Sequence, residues 1–395
     1  MVLGTVVVQS LWGMGSIVLV ELVRDVYHIA SHIWSPLQTL HNWHHRAYKR
    51  DFTPVSAELY AKAQLYNDVP EALIMMAAIA AIALAAGMPG LWIGFVYAVG
   101  FLGAALARSQ GWLDITDMTH EPGPLTQVPS LWRVNRSYHW KHHFDNVNAY
   151  YGGSFTFLDK LLGTALSLKN KTVAVTGASG TMGRALMDEL MRQGAKPIAL
   201  TTSSPADFPE AVRVLPWQVG QEAVLQESLR KVDILIINHG INVHGDRSPA
   251  AIERSLQVNA LSALALMDTF IATVKPPTGS ATKEIWVNTS EAEVGPAFSP
   301  LYELSKRLIG DLTTLKRQGA PCVIRKIILG PFKSNLNPIG VMSAQRVAKA
   351  VVRLAKRDVR NIIVTINPLT YLAFPIKETL QGWYFRLFSR SGSTS

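Results

Sequence analysis

Hydrophobic and polar positions divide the chain into two different patterns. Residues 1–110 carry long apolar runs with almost no charge, whereas residues 170–365 alternate short apolar segments with amphipathic ones. The first run, residues 3–20, holds no charged side chain. As a helix it would span roughly 27 Å, about the thickness of a bilayer's hydrocarbon core. No basic segment precedes it and no small-residue cleavage site follows, so it reads as a membrane span rather than a secretory signal. Two further runs, 72–87 and 90–107, flank Met88-Pro89-Gly90, a turn signal. Each is just long enough to cross, which predicts a helical hairpin; a re-entrant pair is the alternative. Their Gly, Ala and Met content suits close helix packing in lipid.

Beyond residue 169 the pattern predicts strands near 172–176, 196–201, 211–215, 232–238, 284–289, 321–329 and 361–366. Helices are expected near 181–194, 222–231, 249–274, 300–318 and 343–356. This alternation implies an α/β, Rossmann-like, doubly wound parallel sheet with both faces covered. The organisation expected is an α-helical membrane domain over 1–168, an α/β domain over 169–367 and an aromatic tail over 368–395. Tyr371, Phe374, Trp383, Tyr384, Phe385 and Phe388 lie among Lys377, Arg386 and Arg390 in that tail. An interfacial helix and packing on the sheet are both consistent with it.

The 395 residues suffice for two domains, and the formal charge is +10. No zinc finger, basic helix or RNP-like strand accompanies that charge, so nucleic acid is not the expected partner. Arg46, Lys49 and Arg50, and again Arg133, Arg136 and Lys141, follow apolar spans, as cytoplasmic loops do. A first span followed by a hairpin returns the chain to one face. An integral membrane protein with its catalytic domains on the cytoplasmic side is therefore expected. Cys322 is the lone cysteine, in a predicted strand, and excludes an internal disulfide framework.

Nine of the 11 histidines precede residue 169. His28 and His32 are spaced i, i+4; His41, His44 and His45 are spaced i, i+3, i+4; His139, His142 and His143 repeat that spacing. On a helix each group shares one face. Imidazole binds Fe, Zn, Cu and Ni, and a surplus near eight suits two metal ions. No HExxH or ExxH motif is present. Tyr27-His28-Ile29-Ala30-Ser31-His32, His41-Asn42-Trp43-His44-His45 and His139-Trp140-Lys141-His142-His143 resemble the three boxes of the fatty acid hydroxylase/sterol desaturase superfamily. The stretches Asn148-Ala149-Tyr150-Tyr151-Gly152 and 157–164 resemble the segment that closes its domain. The resemblance implies a di-iron centre that uses O2 to hydroxylate or desaturate a lipid, at a C–H bond held in an apolar slot. His120 is a further candidate ligand outside the boxes. Asp159 and Asn148 are open to either a supporting role at the ligands or a surface or capping role.

A second motif follows the first predicted strand of the α/β region. Thr172–Thr176 runs into Gly177-Ala178-Ser179-Gly180-Thr181-Met182-Gly183, a turn that lets backbone approach a pyrophosphate at a helix N-terminus. Thr201, then Asn238 with Gly240, end later strands, Asn288-Thr289-Ser290 ends another, and Tyr302 precedes Lys306 by one helical turn. A nearby ammonium is expected to lower the phenol pKa, so that Tyr302 can exchange a proton with a carbonyl or alcohol oxygen. Together these residues resemble the short-chain dehydrogenase/reductase family over about 171–367. By that resemblance Tyr302 is the acid/base, Lys306 assists it and binds ribose, Ser290 orients the substrate and Asn259 supports a proton relay. Gly330, Pro331 and Ser334 would flank the nicotinamide. Thr181 replaces the family's usual Gly or Ala, and the Ser-to-Tyr spacing is one residue short, which leaves Thr289 open for the serine's role. The second strand ends Leu200-Thr201-Thr202-Ser203-Ser204 without an acid that would repel a 2′-phosphate, so NADP is expected over NAD. His239 and His244 are read as structural or surface residues.

The expected function is a bifunctional lipid-modifying oxidoreductase, with a membrane-tethered reductase carrying an inert histidine module as the alternative. A dehydrogenase passes hydride in pairs while iron takes single electrons. An external ferredoxin- or cytochrome-like donor is therefore expected.

Overall fold

The computed structural model describes residues 2–114, 118–202, 207–210 and 212–390, with side chains from Gly4 onward. It separates into two compact units, Met1–Ala165 and Leu166–Ser395.

In the first unit, α1 (Val2–Ile33) carries the apolar run and continues through His28 and His32. Pro36 in the first turn of α2 (Ser35–Arg46) separates it from α1. Helix α3 (Ala57–Ala63), capped by the Ser56 hydroxyl, passes through a π-helical turn (Gln64–Asp68) into α4 (Val69–Ala86). Gly87 ends α4 at φ +62°, a conformation that favours glycine. After the Met88-Pro89-Gly90 turn comes α5 (Trp92–Ser109), and then α6 (Arg136–Phe144) and α7 (Phe157–Leu162).

Three helices, Gly4–Ile33, Ala57–Ala86 and Pro89–Ser109, are long and apolar enough to cross a membrane. Helices α1 and α5 approach closely through glycine. A Cβ on Gly94 would stand 2.9 Å from the Ser16 carbonyl oxygen, and one on Gly13 would overlap Ile93. Val20, Met75, Ile79 and Ala98 form the apolar centre of this bundle. Val6, Leu11, Leu73, Leu84 and Val96 point outward, while Glu21, Asp25 and Glu71 are buried. Such a polarity, apolar outside and polar inside, is stable in lipid and costly in water.

The second unit follows the expected alternation. Its elements are β1 (Thr172–Thr176), α8 (Thr181–Arg192), β2 (Lys196–Thr201), β3 (Arg213–Pro216), α9 (Gln226–Leu229), β4 (Ile234–Ile237), α10 (Pro249–Leu256), α11 (Ser262–Ile271), α12 (Gly279–Thr282), β5 (Glu284–Ser290), α13 (Pro300–Lys316), β6 (Val323–Leu329), α14 (Ala344–Lys356), β7 (Asn361–Val364) and α15 (Pro368–Phe388). The seven strands are parallel in the order β3-β2-β1-β4-β5-β6-β7. Strand order reverses between β1 and β4, which opens a crevice at their C-terminal ends. Apolar side chains from both faces of the sheet pack under the helices in two clusters. The helix expected over 249–274 is interrupted by a π-helical turn, Gln257–Leu261, around Asn259. Strand β3 starts two residues after the expected position, and Ala211 lies outside the described residues.

Two cations sit in succession within buried β6, and strand alternation sends them to opposite faces. Arg325 is clamped by Glu284 and Asp358, and Lys326 by Glu293 and Glu378. Glu378 belongs to α15, so the expectation that the tail packs on the sheet holds for one face of that helix. Phe374 and Glu378 face the sheet, whereas Leu380 and Trp383 are 66% and 68% exposed. Phe374→Ala is expected to destabilise this unit by about 3–5 kcal/mol, and Leu380→Ala by no more than about 0.5 kcal/mol. Denaturant midpoints of the detergent-solubilised chain check the contrast; equal midpoints would show that α15 is not anchored by this face.

Candidate functional site

All nine N-terminal histidines converge in two clusters within the first unit. His28, His32, His41, His45 and His142 form one; His44, His120, His139 and His143 form the other, with ligand atoms in each set within 4.8 Å of one another. The helical spacings explain the split. One turn of α2 gives His41 and His45 to the first cluster and His44 to the second, and α6 divides His142 from His143 and His139 in the same way. His120, outside any box, completes the second set.

In the first cluster His28 Nε2 lies 3.1 Å from His41 Nε2 and 3.0 Å from His142 Nε2. In the second, His44 and His143 Nε2 are 3.1 Å apart, and His120 and His139 Nε2 2.9 Å apart. Metal–nitrogen bonds of about 2.1 Å place adjacent ligand nitrogens roughly 3.0–3.4 Å apart. The histidines therefore fit two metal ions. Three rings are also held from behind. His28 Nδ1 meets the Tyr151 carbonyl at 2.7 Å, His142 Nδ1 the Ala149 carbonyl at 2.8 Å, and His41 Nδ1 the Asn67 Oδ1 at 2.7 Å. A proton on Nδ1 donated to these oxygens leaves each Nε2 lone pair inward. Burial pushes His41 down to about 4 and holds His44, His45, His142 and His143 well below the usual histidine range, so these rings are neutral.

Asp159 acts one step further out. Its carboxylate accepts the Tyr151 and Gly152 amides at 2.9 and 2.8 Å and the Tyr138 hydroxyl at 2.9 Å, fixing the loop whose carbonyl holds His28. Asn148 is exposed and reaches no histidine. Sequence patterns missed Asn67, Asp25, Asp68 and Glu71. The available signal was polar residues at the ends of apolar spans. A cavity of about 450 Å³ opens beside the histidines, lined by Arg24, Asp25, Gln64, Asp68, Glu71 and Arg108 among others. Tyr97, Phe101, Ala104 and Met118 line it too, so polar groups join the expected apolar wall. Helix faces patterned for lipid say little about the interior of the bundle.

The second unit brings the nucleotide motif together at its crevice. Gly177 has φ +60°, and a Cβ there would stand 2.9 Å from the His239 Cα; a Cβ on Gly183 would overlap the Gly177 carbonyl. Only glycine permits this turn, which presents Ser179, Gly180, Thr181 and Met182 at the start of α8. Thr201 donates to Ser179 Oγ at 3.1 Å, and no acid appears at Thr201 or Thr202; Ser203 and Ser204 lie outside the described residues. Asn238 receives a 2.6 Å hydrogen bond from Asn288, linking the ends of β4 and β5.

Ser290 hydrogen-bonds Tyr302, whereas Thr289 Oγ1 turns to the Ile327 carbonyl. Ser290 is thus the hydroxyl placed beside the phenol. Asn259 holds the Ile241 amide at 2.8 Å and donates to Ser305 at 3.0 Å, and Lys306 donates to the Asn288 carbonyl at 3.2 Å. A Cβ on Gly240 would stand 3.0 Å from Asn259 Oδ1 and 3.7 Å from Lys306 Nζ. Burial pushes the Tyr302 phenol up, against the expected lowering, and pulls Lys306 down to about 8. Gly330 packs on Thr365 and leads into Pro331 and Ser334. His239 is structural, joined to Thr176 Oγ1 at 2.9 Å, and His244 is exposed.

His142→Ala and His143→Ala are each expected to remove one bound metal ion, from different clusters, and the double variant both; elemental analysis of purified protein checks this. The metal-free protein binds fewer protons folded than unfolded between pH ~6.5, the unfolded histidine value, and about 4 for His41. Its stability is therefore expected to be full above ~6.5 and to fall as pH drops through that window. Thermal unfolding of chelator-treated protein measures it, and a flat profile would contradict buried neutral rings.

A fatty acid hydroxylase family profile matches residues 14–164, and a short chain dehydrogenase profile residues 171–337. Two solved structures match the second unit. A short chain dehydrogenase from Burkholderia cenocepacia J2315 in complex with NADP is 20% identical, TM-score 0.46, over 57% of this chain and 100% of that one. A short-chain dehydrogenase from Sphingobium yanoikuyae in complex with NADPH is 17% identical, TM-score 0.44, over 57% and 98%. The monoglucosyldiacylglycerol epimerase of Synechocystis sp. is 54% identical over 95% of this chain and 97% of its own length. The chain belongs to the family of that epimerase, oxidoreductase-type proteins in which a fatty acid hydroxylase module precedes a short chain dehydrogenase module.

Proposed function

We propose that this protein inverts one carbinol carbon in the sugar headgroup of a monoglucosyldiacylglycerol-type lipid by oxidising it to a ketone and reducing it again. The observation that carries this reading is the Ser290–Tyr302–Lys306–Asn259 arrangement in a chain 54% identical to an epimerase along almost its whole length. Alcohol–ketone redox at a ring carbon exchanges its two configurations without net oxidation. The working modules are 1–168 and 169–367, with 368–395 as the tail.

A bound NADP(H) would accept and return the hydride, held by the Gly177–Gly183 turn, Thr201, Asn238, Gly240, Lys306 and Pro331, with Gly330 and Ser334 beside it; NAD is the alternative. Ser290 orients the sugar oxygen. Tyr302 takes the hydroxyl proton as the C–H bond breaks, and gives a proton back as the new C–H bond forms. Inversion requires the planar keto ring to present its other face before reduction. Because burial favours the protonated phenol, the reducing half has its proton in place at neutral pH, and the oxidising half is expected to accelerate as pH rises.

The two complete histidine clusters favour a second reading, in which the first unit also oxidises lipid. Two irons bound there would supply O2 activation for hydroxylation or desaturation, with electrons from an external ferredoxin- or cytochrome-like donor, on the cytoplasmic face. An inert module has no need of nine converging imidazoles.

Tyr302→Phe is expected to lower epimer formation by roughly 10²- to 10⁴-fold while NADPH binding stays unchanged. Chromatography of headgroup epimers and nucleotide fluorescence read the two. Full-rate epimerisation by the variant would overturn the assignment. Epimerisation by the parent protein without O2, given NADP(H), supports the redox-neutral route; strict O2 dependence moves the chemistry to the second reading.

A further inference from the structure

The cavity beside the histidine clusters lies at one end of the three membrane-length helices. It is reached by the C-terminal part of α1 (Arg24, Asp25), the π turn and first turn of α4 (Gln64, Asp68, Glu71) and, in α5, by Tyr97 and by Phe101, Ala104 and Arg108 of its C-terminal half. Because α4 and α5 form a hairpin, all of these belong to the same end of the bundle, where a lipid's polar headgroup sits while its chains remain along the apolar helix surfaces.

Much of the polar lining is tied together. Arg24 bridges Glu21 and Glu71, each at 3.4 Å, and Arg108 joins Gln64 at 2.6 Å and Asp68 at 3.3 Å. Tyr97 donates to Glu21, and Ser154 does so at 2.5 Å. Asp25 differs. It is 1% exposed, its Oδ1 accepts the Gly153 amide at 2.7 Å, and its Oδ2 finds no hydrogen-bond partner among the described residues. A buried carboxylate oxygen left without a donor is costly unless a ligand brings one. Asp25 stands one helical turn before His28, so what it holds lies next to the first cluster. Carboxylates and guanidinium groups around a cavity with aromatic walls suit a ring bearing several hydroxyls, whose O–H groups donate and whose C–H face packs on Phe101 or Tyr97. They do not suit an alkyl chain.

We propose that this cavity is a binding site for the hydroxylated sugar ring of the lipid substrate, with Asp25 Oδ2 accepting a ring hydroxyl. The inference rests on the epimerase reading and adds to it: the headgroup is recognised by the histidine unit as well as by the dehydrogenase unit. At about 450 Å³ the cavity falls within the usual range for small-molecule sites.

A monoglucosyldiacylglycerol with a photoreactive group on the sugar, added to the full-length protein in nanodiscs, tests this directly. Labelling is expected on peptides containing 21–28 and 64–71, displaced by unlabelled glucolipid and not by diacylglycerol. Asp25→Asn, which keeps the shape, is expected to reduce that labelling roughly 10-fold or more at subsaturating lipid. Ala104→Phe fills the cavity without removing an ion pair and is expected to act likewise. Elemental analysis and NADPH binding confirm that each variant is folded. Sugar-dependent labelling confined to the second unit, or labelling of 21–28 unchanged in both folded variants, overturns the cavity assignment and leaves the epimerase reading standing. No displacement by glucolipid anywhere, in a parent protein that also forms no epimer, sinks the reading itself.

Discussion

Nine converging imidazoles, eight of which bring their Nε2 atoms within about 3 Å of another, set the terms for the whole first unit. Lone pairs facing one another repel, and a shared proton can relieve only one pair at a time. Metal ions between them relieve all contacts at once, at distances matching metal–nitrogen geometry. The rest of the unit is organised to present these rings. Helix α1 delivers two histidines, α2 and α6 deliver three each from single helical turns, and the stretch before α6 adds His120. Tyr150, at φ +61°, turns the chain so that the carbonyls of Ala149 and Tyr151 face His142 and His28. Asp159 then pins that turn through two amides.

The cavity lined with charged residue types is the second consequence. An ion pair inside a membrane-length bundle carries a large desolvation cost and contributes little net stability. Arg24 with Glu21 and Glu71, and Arg108 with Asp68, therefore have a weak structural rationale on their own. They gain one if the cavity must hold something polar beside the metal positions. The buried pairs of the second unit differ in kind. Arg325 and Lys326 lie within a strand whose neighbours are Val, Ile and Leu, and each is neutralised by two carboxylates that tie β6 to β5, to β7's flank and to α15.

Much of this was legible in the sequence, for identifiable reasons. Strands of a parallel sheet are buried on both faces, so their Val/Ile runs stand out even where β6 carries Arg325-Lys326. Histidine spacing of i, i+3, i+4 is a local property, and it located the boxes. Their division between two clusters is not local, because it depends on where α2 and α6 face each other; His120 joined them only through the fold. The choice between Thr289 and Ser290 was likewise undecidable from spacing. Strand alternation sends Thr289 to β6 and leaves Ser290 at the phenol. The phenol's direction of shift was misjudged because a motif shows the neighbouring ammonium but not the burial that outweighs it. Asn67, Asp25 and Glu71 belong to no motif. They are far apart in sequence and act only because three helix ends coincide.

The proposed epimerase activity raises the question of why one chain carries two redox-type units. A ketone formed on a sugar headgroup is reactive and would be hard to recapture if it left. Anchored by two acyl chains, it would stay confined to the bilayer surface, and the second encounter would become one at high effective concentration rather than one from bulk water. The headgroup site proposed at the ends of the spans would add a holding position. The physical problem is then the orientation of one ring, not its capture. Inversion needs the ring to turn between losing and regaining its hydrogen. A ring held only by its hydroxyls, with the lipid tails as a flexible tether, can release, rotate and rebind, while a ring gripped along its whole length could not.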